Sequence, residues 1–75
     1  MSPRLPSCTP VDIERALRKL GFVEDRQRGS HKVFVRVSDN RTVVLPWHNR
    51  DLKRGTLHAI VKGTGLTEDD FLKVL

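Results

Sequence analysis

The chain has little cysteine, few aromatic residues and no long apolar run. Its single cysteine, Cys8, cannot form an internal disulfide, so the fold does not depend on one and suits a reducing compartment. Because no segment has the length or apolar character of a membrane span or a secretory signal, we expect a cytoplasmic protein. The three histidines lack the His-x3-His spacing and clustered cysteines of a zinc site. We therefore expect no metal or other cofactor.

The length of 75 residues and the 37% hydrophobic content are enough for one small core, near the lower limit for a self-sufficient domain. Residues 1–8 contain two prolines and little that can pack. We expect them to form a flexible extension, with a single domain over residues 9–75.

Positive charge is concentrated in the middle of the chain. From Arg26 to Lys62 there are nine Lys and Arg residues against two acids, a local balance of +7, whereas the whole chain carries +5. A basic middle between less basic ends indicates one positive surface, which is typical of nucleic-acid binding. A solvated basic face with no ligand would leave the same pattern.

Helix signals lie at both ends of the domain. Thr9 as N-cap, Pro10 at the first helical position and Asp12 two residues later predict a capped helix that ends at Gly21. Its apolar stripe consists of Ile13, Ala16, Leu17 and Leu20. A second helix is expected from Gly55-Thr56 to Gly63, and a short third one after Thr67.

Strand signals fill the middle of the chain. We expect an extended segment from Phe22, a turn at residues 26–29, a strand from His31 to Val37 and a third strand over residues 42–45. Alternation favours Val33, Val35 and Val37 facing the helices, with Phe34 on the open face, although the reverse register fits as well. The expected fold class is α+β: helix, three-stranded antiparallel sheet, helix and short C-terminal helix.

Short motifs run in order from about Thr9 to Leu75: Leu20-Gly21-Phe22, Gly29-Ser30-His31, Pro46-x-His48, Gly55-Thr56-Leu57 with Ile60, and Gly65-Leu66-Thr67 with Phe71. In this order and spacing they resemble the HicA toxins of bacterial and archaeal toxin–antitoxin pairs. The resemblance implies a fold like the double-stranded-RNA-binding domain and a metal-independent endoribonuclease that cleaves mRNA and inhibits translation and growth. It also implies silencing by a cognate HicB-type antitoxin and places the catalytic histidine at His31. We expect the free toxin to be monomeric.

The chemistry of these residues fits that function. RNA carries its own nucleophile, the 2′-OH, so His31 can start cleavage as a general base or assist the leaving group as a general acid. Gly29 and Ser30 are expected to support it, and His48 is a candidate second proton-transfer group or phosphate contact. For His31 and His48 alike, the alternative is a histidine that only bonds nearby backbone.

Candidate RNA contacts come from the basic segments and the aromatic residue beside His31. They are Arg26, Arg28, Lys32, Phe34, Arg36, Lys53 and Arg54. Two other functions remain open on sequence grounds: a non-catalytic RNA-binding module, and a protein-interaction domain whose basic face meets an acidic partner.

Overall fold

The computed structural model describes residues 5–75. Three α-helices and three strands follow one another as α1 (Pro10–Lys19), β1 (Val23–Arg28), β2 (His31–Arg36), β3 (Arg41–Pro46), α2 (Arg54–Thr64) and α3 (Glu68–Leu72), with a 3-10 turn at Val37–Asp39. The strands form one antiparallel sheet in the order β1-β2-β3. The predicted α+β order is confirmed.

Local signals set the helix boundaries. In α1 the capping box is complete, since Asp12 accepts from the Thr9 amide at 3.0 Å while its own amide donates to Thr9 Oγ1 at 3.4 Å. Gly21 follows with φ +91°, a left-handed conformation that a side chain would strain. The start of α2 was predicted too late, because Lys53 is the N-cap and the helix begins at Arg54.

The helices cover one face of the sheet, and the predicted register was wrong. Phe34 is fully buried in the core, whereas Val37 is 85% exposed. Phe34 pairs with Val43, itself buried, and Val33 pairs with Val44, which is half exposed. Cross-strand partners share a face, so Phe34 lies under the helices and cannot stack on an RNA base. A large aromatic buries more apolar surface than valine, which explains why this register wins.

The predicted hairpin turn at residues 26–29 was also misplaced. β1 continues to Arg28, which pairs with His31, and only Gly29-Ser30 form the turn. Gly29 has φ +55°, as a two-residue hairpin turn requires. The pairing of β1 with β2 shifts by one residue at a bulge between Glu24 and Arg26.

Two predicted RNA contacts, Lys32 and Arg36, instead hold the helices onto the sheet. Lys32 Nζ lies 3.3 Å from Glu14 and 3.7 Å from Glu24, with its side chain 15% exposed, and 3.6 Å from the centre of the Trp47 ring. These contacts leave its ammonium committed within the protein. Burial opposes the ionisation of Glu14, but hydrogen bonds from Arg18 and Lys32 outweigh it and lower the pKa of this carboxyl.

Arg36 closes the other end of the sheet. Its guanidinium donates to the carbonyls of Leu20 at 2.8 Å and Thr64 at 3.0 Å, and forms a bidentate pair with Asp39. It thereby satisfies carbonyls at the C-terminal ends of α1 and α2, which have no partner within their helices. The hydrogen bonds from Arg36 lower the pKa of Asp39.

The predicted flexible extension is corrected for residues 5–8; residues 1–4 lie outside the described part. Leu5 and Cys8 are 2% and 3% exposed and belong to the core. The Cys8 carbonyl accepts from the Leu52 amide at 2.8 Å, and the Leu5 carbonyl accepts from the Arg54 guanidinium. In a domain this small, two extra buried side chains add a large share of the core.

Val43 and Val44 offer a matched test of the register. Val43→Ala should destabilise the protein by about 2–3 kcal/mol, because it empties a packed site. Val44→Ala on the opposite face should cost less than about 1 kcal/mol. Urea unfolding followed by circular dichroism gives both values, and equal losses would contradict this register.

The Glu14 cluster predicts a pH dependence of stability. Because the folded-state pKa of Glu14 is lowered, its contribution is complete above the ordinary glutamate value and is lost as pH falls through the folded one. Glu14→Gln should therefore cost on the order of 1 kcal/mol at pH 7. That difference should shrink steadily below about pH 4.3. Unfolding of both proteins between pH 7 and pH 3 measures it; a constant difference would contradict the assignment. Asp25→Asn, at an exposed carboxylate, is the control.

Candidate functional site

The open face of the sheet carries the candidate catalytic histidine. His31 is the first residue of β2 and pairs with Arg28 on one side and Pro46 on the other. Its side chain is exposed and shares a face with Val33 and Val44, away from the helices. The imidazole is therefore accessible to a large substrate.

The Gly29-Ser30 turn ties His31 to the loop after β3. The Ser30 carbonyl accepts from the Trp47 amide at 2.6 Å, which extends the β2–β3 pairing by one residue beyond His31. Trp47 is also held by its contact with Lys32. Support of His31 by residues 29 and 30 thus has a main-chain basis, while a direct role for the Ser30 hydroxyl remains a prediction.

His48 lies in the exposed loop that follows Trp47. Its Nδ1 accepts a hydrogen bond from the Arg50 amide at 3.1 Å, which leaves Nε2 as the outward nitrogen. A neutral imidazole whose Nδ1 accepts carries its proton on Nε2. His48 is therefore arranged to donate a hydrogen bond outward.

The remaining basic candidates fall into two groups. Arg26 and Arg28 lie on the open face in the rows of Val33 and His31, and Arg26 has an exposed ion pair with Asp25 at 3.2 Å. The second group lies at the start of α2. Lys53 is the exposed N-cap, and Arg54 is the first helical residue and donates to the Leu5 carbonyl. Arg54 is thus partly a structural residue.

A groove between β3 and α2 was not foreseen from the sequence. It has a volume of about 520 Å³ and runs from His31, Pro46 and Val44 on the sheet side to Gly55, Thr56 and Ala59 on the helix side. The available sequence signal was the spacing of Gly55, Ala59 and Gly63, which places three small residues on one helix face. Sequence reasoning used the first glycine only as part of a helix cap.

The N-terminal segment was likewise missed as a support of the site. Residues 5–8 hold Leu52 and Arg54, which flank Lys53 and the start of the groove-lining helix. Cys8 is buried, and its Sγ donates to the Pro6 carbonyl at 3.2 Å. Burial, followed by the nearby Asp12 carboxylate, raises the pKa of this thiol, so Cys8 is a packing residue and not an activated nucleophile.

Residues 5–75 contain neither a candidate metal-binding cluster nor a helix that could span a membrane. No group of three or more His, Cys, Asp and Glu side chains within that range is arranged to hold a metal ion. None of the helices in it is both long and apolar enough to cross a membrane.

Comparison with known proteins assigns the family. A family profile described as the HicA toxin of bacterial toxin–antitoxin systems matches residues 11–66, which include all three strands, α2, His31 and His48. A search of curated proteins gave no match. The profile covers well over half of the chain and supports a toxin that pairs with an antitoxin and targets RNA. The chain belongs to the HicA toxin family.

Proposed function

We propose that the protein is a metal-independent endoribonuclease that cleaves mRNA and inhibits translation and growth, with His31 as its catalytic residue. The observation that carries the proposal is the exposed imidazole of His31, set between Arg28 and the mouth of the groove on the face that the helices leave open. A polyanion can reach this face, and Arg28 places positive charge beside the imidazole.

The reaction needs a proton acceptor and a proton donor around one phosphate. The 2′-oxygen attacks the adjacent phosphorus, its proton passes to a base, and the bond to the 5′-oxygen breaks as that oxygen gains a proton. The products are a 2′,3′-cyclic phosphate and a 5′-hydroxyl. His31 serves one of these transfers, and a positioned acid or base contributes about 10²–10⁴-fold.

His48 is the proposed second group. Its outward Nε2–H is suited to a phosphate oxygen or to the leaving 5′-oxygen, because Nδ1 is already engaged by Arg50. Arg26, Arg28, Lys53 and Arg54 are proposed to follow the RNA backbone. Lys32, Phe34 and Arg36 are left out of the proposed set, because Phe34 is buried and the other two have partners within the protein. The proposed HicB-type antitoxin would silence the toxin by covering the same basic, open face of a monomer.

The first test is RNA cleavage in EDTA by the wild type and His31→Ala. We expect the variant to lose at least about 10²-fold in rate while it keeps most of its salt-dependent RNA binding. His58→Ala is the matched control, since His58 is exposed on α2 and pairs with Glu68 there, away from the proposed site. If no protein cleaves but all bind RNA, the chain acts as a non-catalytic RNA-binding module instead.

Salt dependence tests which cations meet the RNA. Arg28→Ala should lower the slope of log affinity against log salt by about one, because one phosphate contact is lost. Lys62→Ala, at an exposed cation on α2 outside the proposed set, should leave the slope nearly unchanged. Fluorescence anisotropy of a labelled RNA between 50 and 200 mM salt measures both, and equal slopes for all three proteins would contradict this placement.

A further inference from the structure

The groove beside His31 is an open concavity with a mostly apolar lining. Its volume of about 520 Å³ lies within the usual range for such pockets, about 300–1,000 Å³. Buried Val43 and Ile60 form its apolar floor, and Pro46 forms part of one wall. Among residues 5–75, His31 at one end is the ionisable side chain that lines it.

The sheet side of the groove offers main-chain hydrogen-bonding groups. Trp47 bonds to Ser30, so in the alternating antiparallel pattern Leu45 and Val43 bond to β2 while Pro46, Val44 and Thr42 direct their main-chain groups outward. Since β3 is an edge strand, these outward groups have no neighbouring strand. Pro46 fits this position because it has no N–H to leave unpaired.

The groove ends where α2 packs against β3. The helix comes close to β3 only at Gly63, since a Cβ added to Gly55 would meet nothing within 4 Å. A Cβ added to Gly63 would lie 3.3 Å from the Val43 side chain and 3.8 Å from the Thr42 carbonyl oxygen, so the helix blocks the edge at Thr42. An added peptide strand could pair only near Val44, which is too short a stretch for a stable ladder.

A flat ligand with apolar faces and a polar edge suits this site better. Its faces would lie against Pro46 and Ala59, while its edge would meet the N–H and C=O of Val44 and the hydroxyl of Thr56. Nucleobases have this character, and proteins read unstacked RNA bases through stacking and edge hydrogen bonds.

We infer that this groove is a nucleobase pocket, in which the base next to the scissile phosphate is held and its edge is read by the main chain of Val44. The inference rests on the proposed ribonuclease function and extends it to substrate choice. Because His31 lies at the mouth of the groove, a base bound inside would bring its own phosphate to the imidazole.

Binding can be tested without any cleavage. Titration of the ¹⁵N-labelled protein with each of the four nucleoside 3′-monophosphates should shift the amide signals of Val44, Gly55, Thr56 and Ala59. Ala59→Leu should weaken that binding by about tenfold or more, because the larger side chain fills the groove. His58→Leu, next to it on α2 but outside the groove, should bind like the wild type.

Cleavage provides the second measurement. Ala59→Leu should lower kcat/KM on RNA by about tenfold or more and change the distribution of cut positions, while cleavage stays dependent on His31. Ala59 is exposed and leucine favours helix, so we expect the variant to fold; circular dichroism checks this. Thr56→Val, which keeps the shape and removes the hydroxyl, is a second variant that should alter the preferred base.

The outcomes separate the two proposals. Amide shifts at the groove with no cleavage by any protein would support the pocket and overturn the ribonuclease. Cleavage that requires His31, with no shifts at these amides and with unchanged cut positions in both groove variants, would overturn the pocket alone.

Discussion

The helices cover only one face of the three-stranded sheet, and the rest of the molecule depends on that asymmetry. Phe34, Val43 and Leu45 fill the covered face almost completely. Since strand residues alternate between faces, the burial of Phe34 places His31 and Val33 on the other side. The candidate catalytic residue therefore lies opposite the core, and its position at the start of β2 leaves it exposed, whereas Val33 on the same face is only 7% exposed. A one-residue shift in register would move His31 to the helix face.

Basic side chains lie on both faces of the sheet, but those on the helix side stabilise the fold and those on the open face remain near water. Lys32 lies beneath the helical layer, where the carboxylates of Glu14 and Glu24 and the ring of Trp47 surround its ammonium. Arg36 satisfies carbonyls at two helix ends. Arg26 and Arg28 remain near water on the open face and are available to a polyanion. A count of basic residues does not separate these roles; only the partners within reach of each side chain do.

The edges of the functional region are built from parts that are distant in sequence. Residues 5–8 hold the segment that leads into α2, and Trp47 bonds to the turn before His31. The helix α2 packs closely on β3 at Gly63. The N-terminal segment lies outside the region that matches the HicA profile, yet it anchors Leu52 and Arg54 beside the proposed RNA contact Lys53. Stability of the core and placement of the site are thus coupled in one small domain.

Local signals in the sequence were enough for the order of elements, the capping of α1 and α3, the turn glycines and the motifs that led to the family and to His31. These features depend on residues close together in the chain, where capping bonds and backbone conformation act. The strand register, the commitment of Lys32 and Arg36, the burial of Leu5 and Cys8 and the groove between β3 and α2 required the tertiary structure. Alternation alone permits two registers, and the choice between them depends on which side chains the helices can pack against once the chain has folded. Sequence therefore determined which candidate residues the chain contains, and packing decided which of them lie on the open face of the sheet.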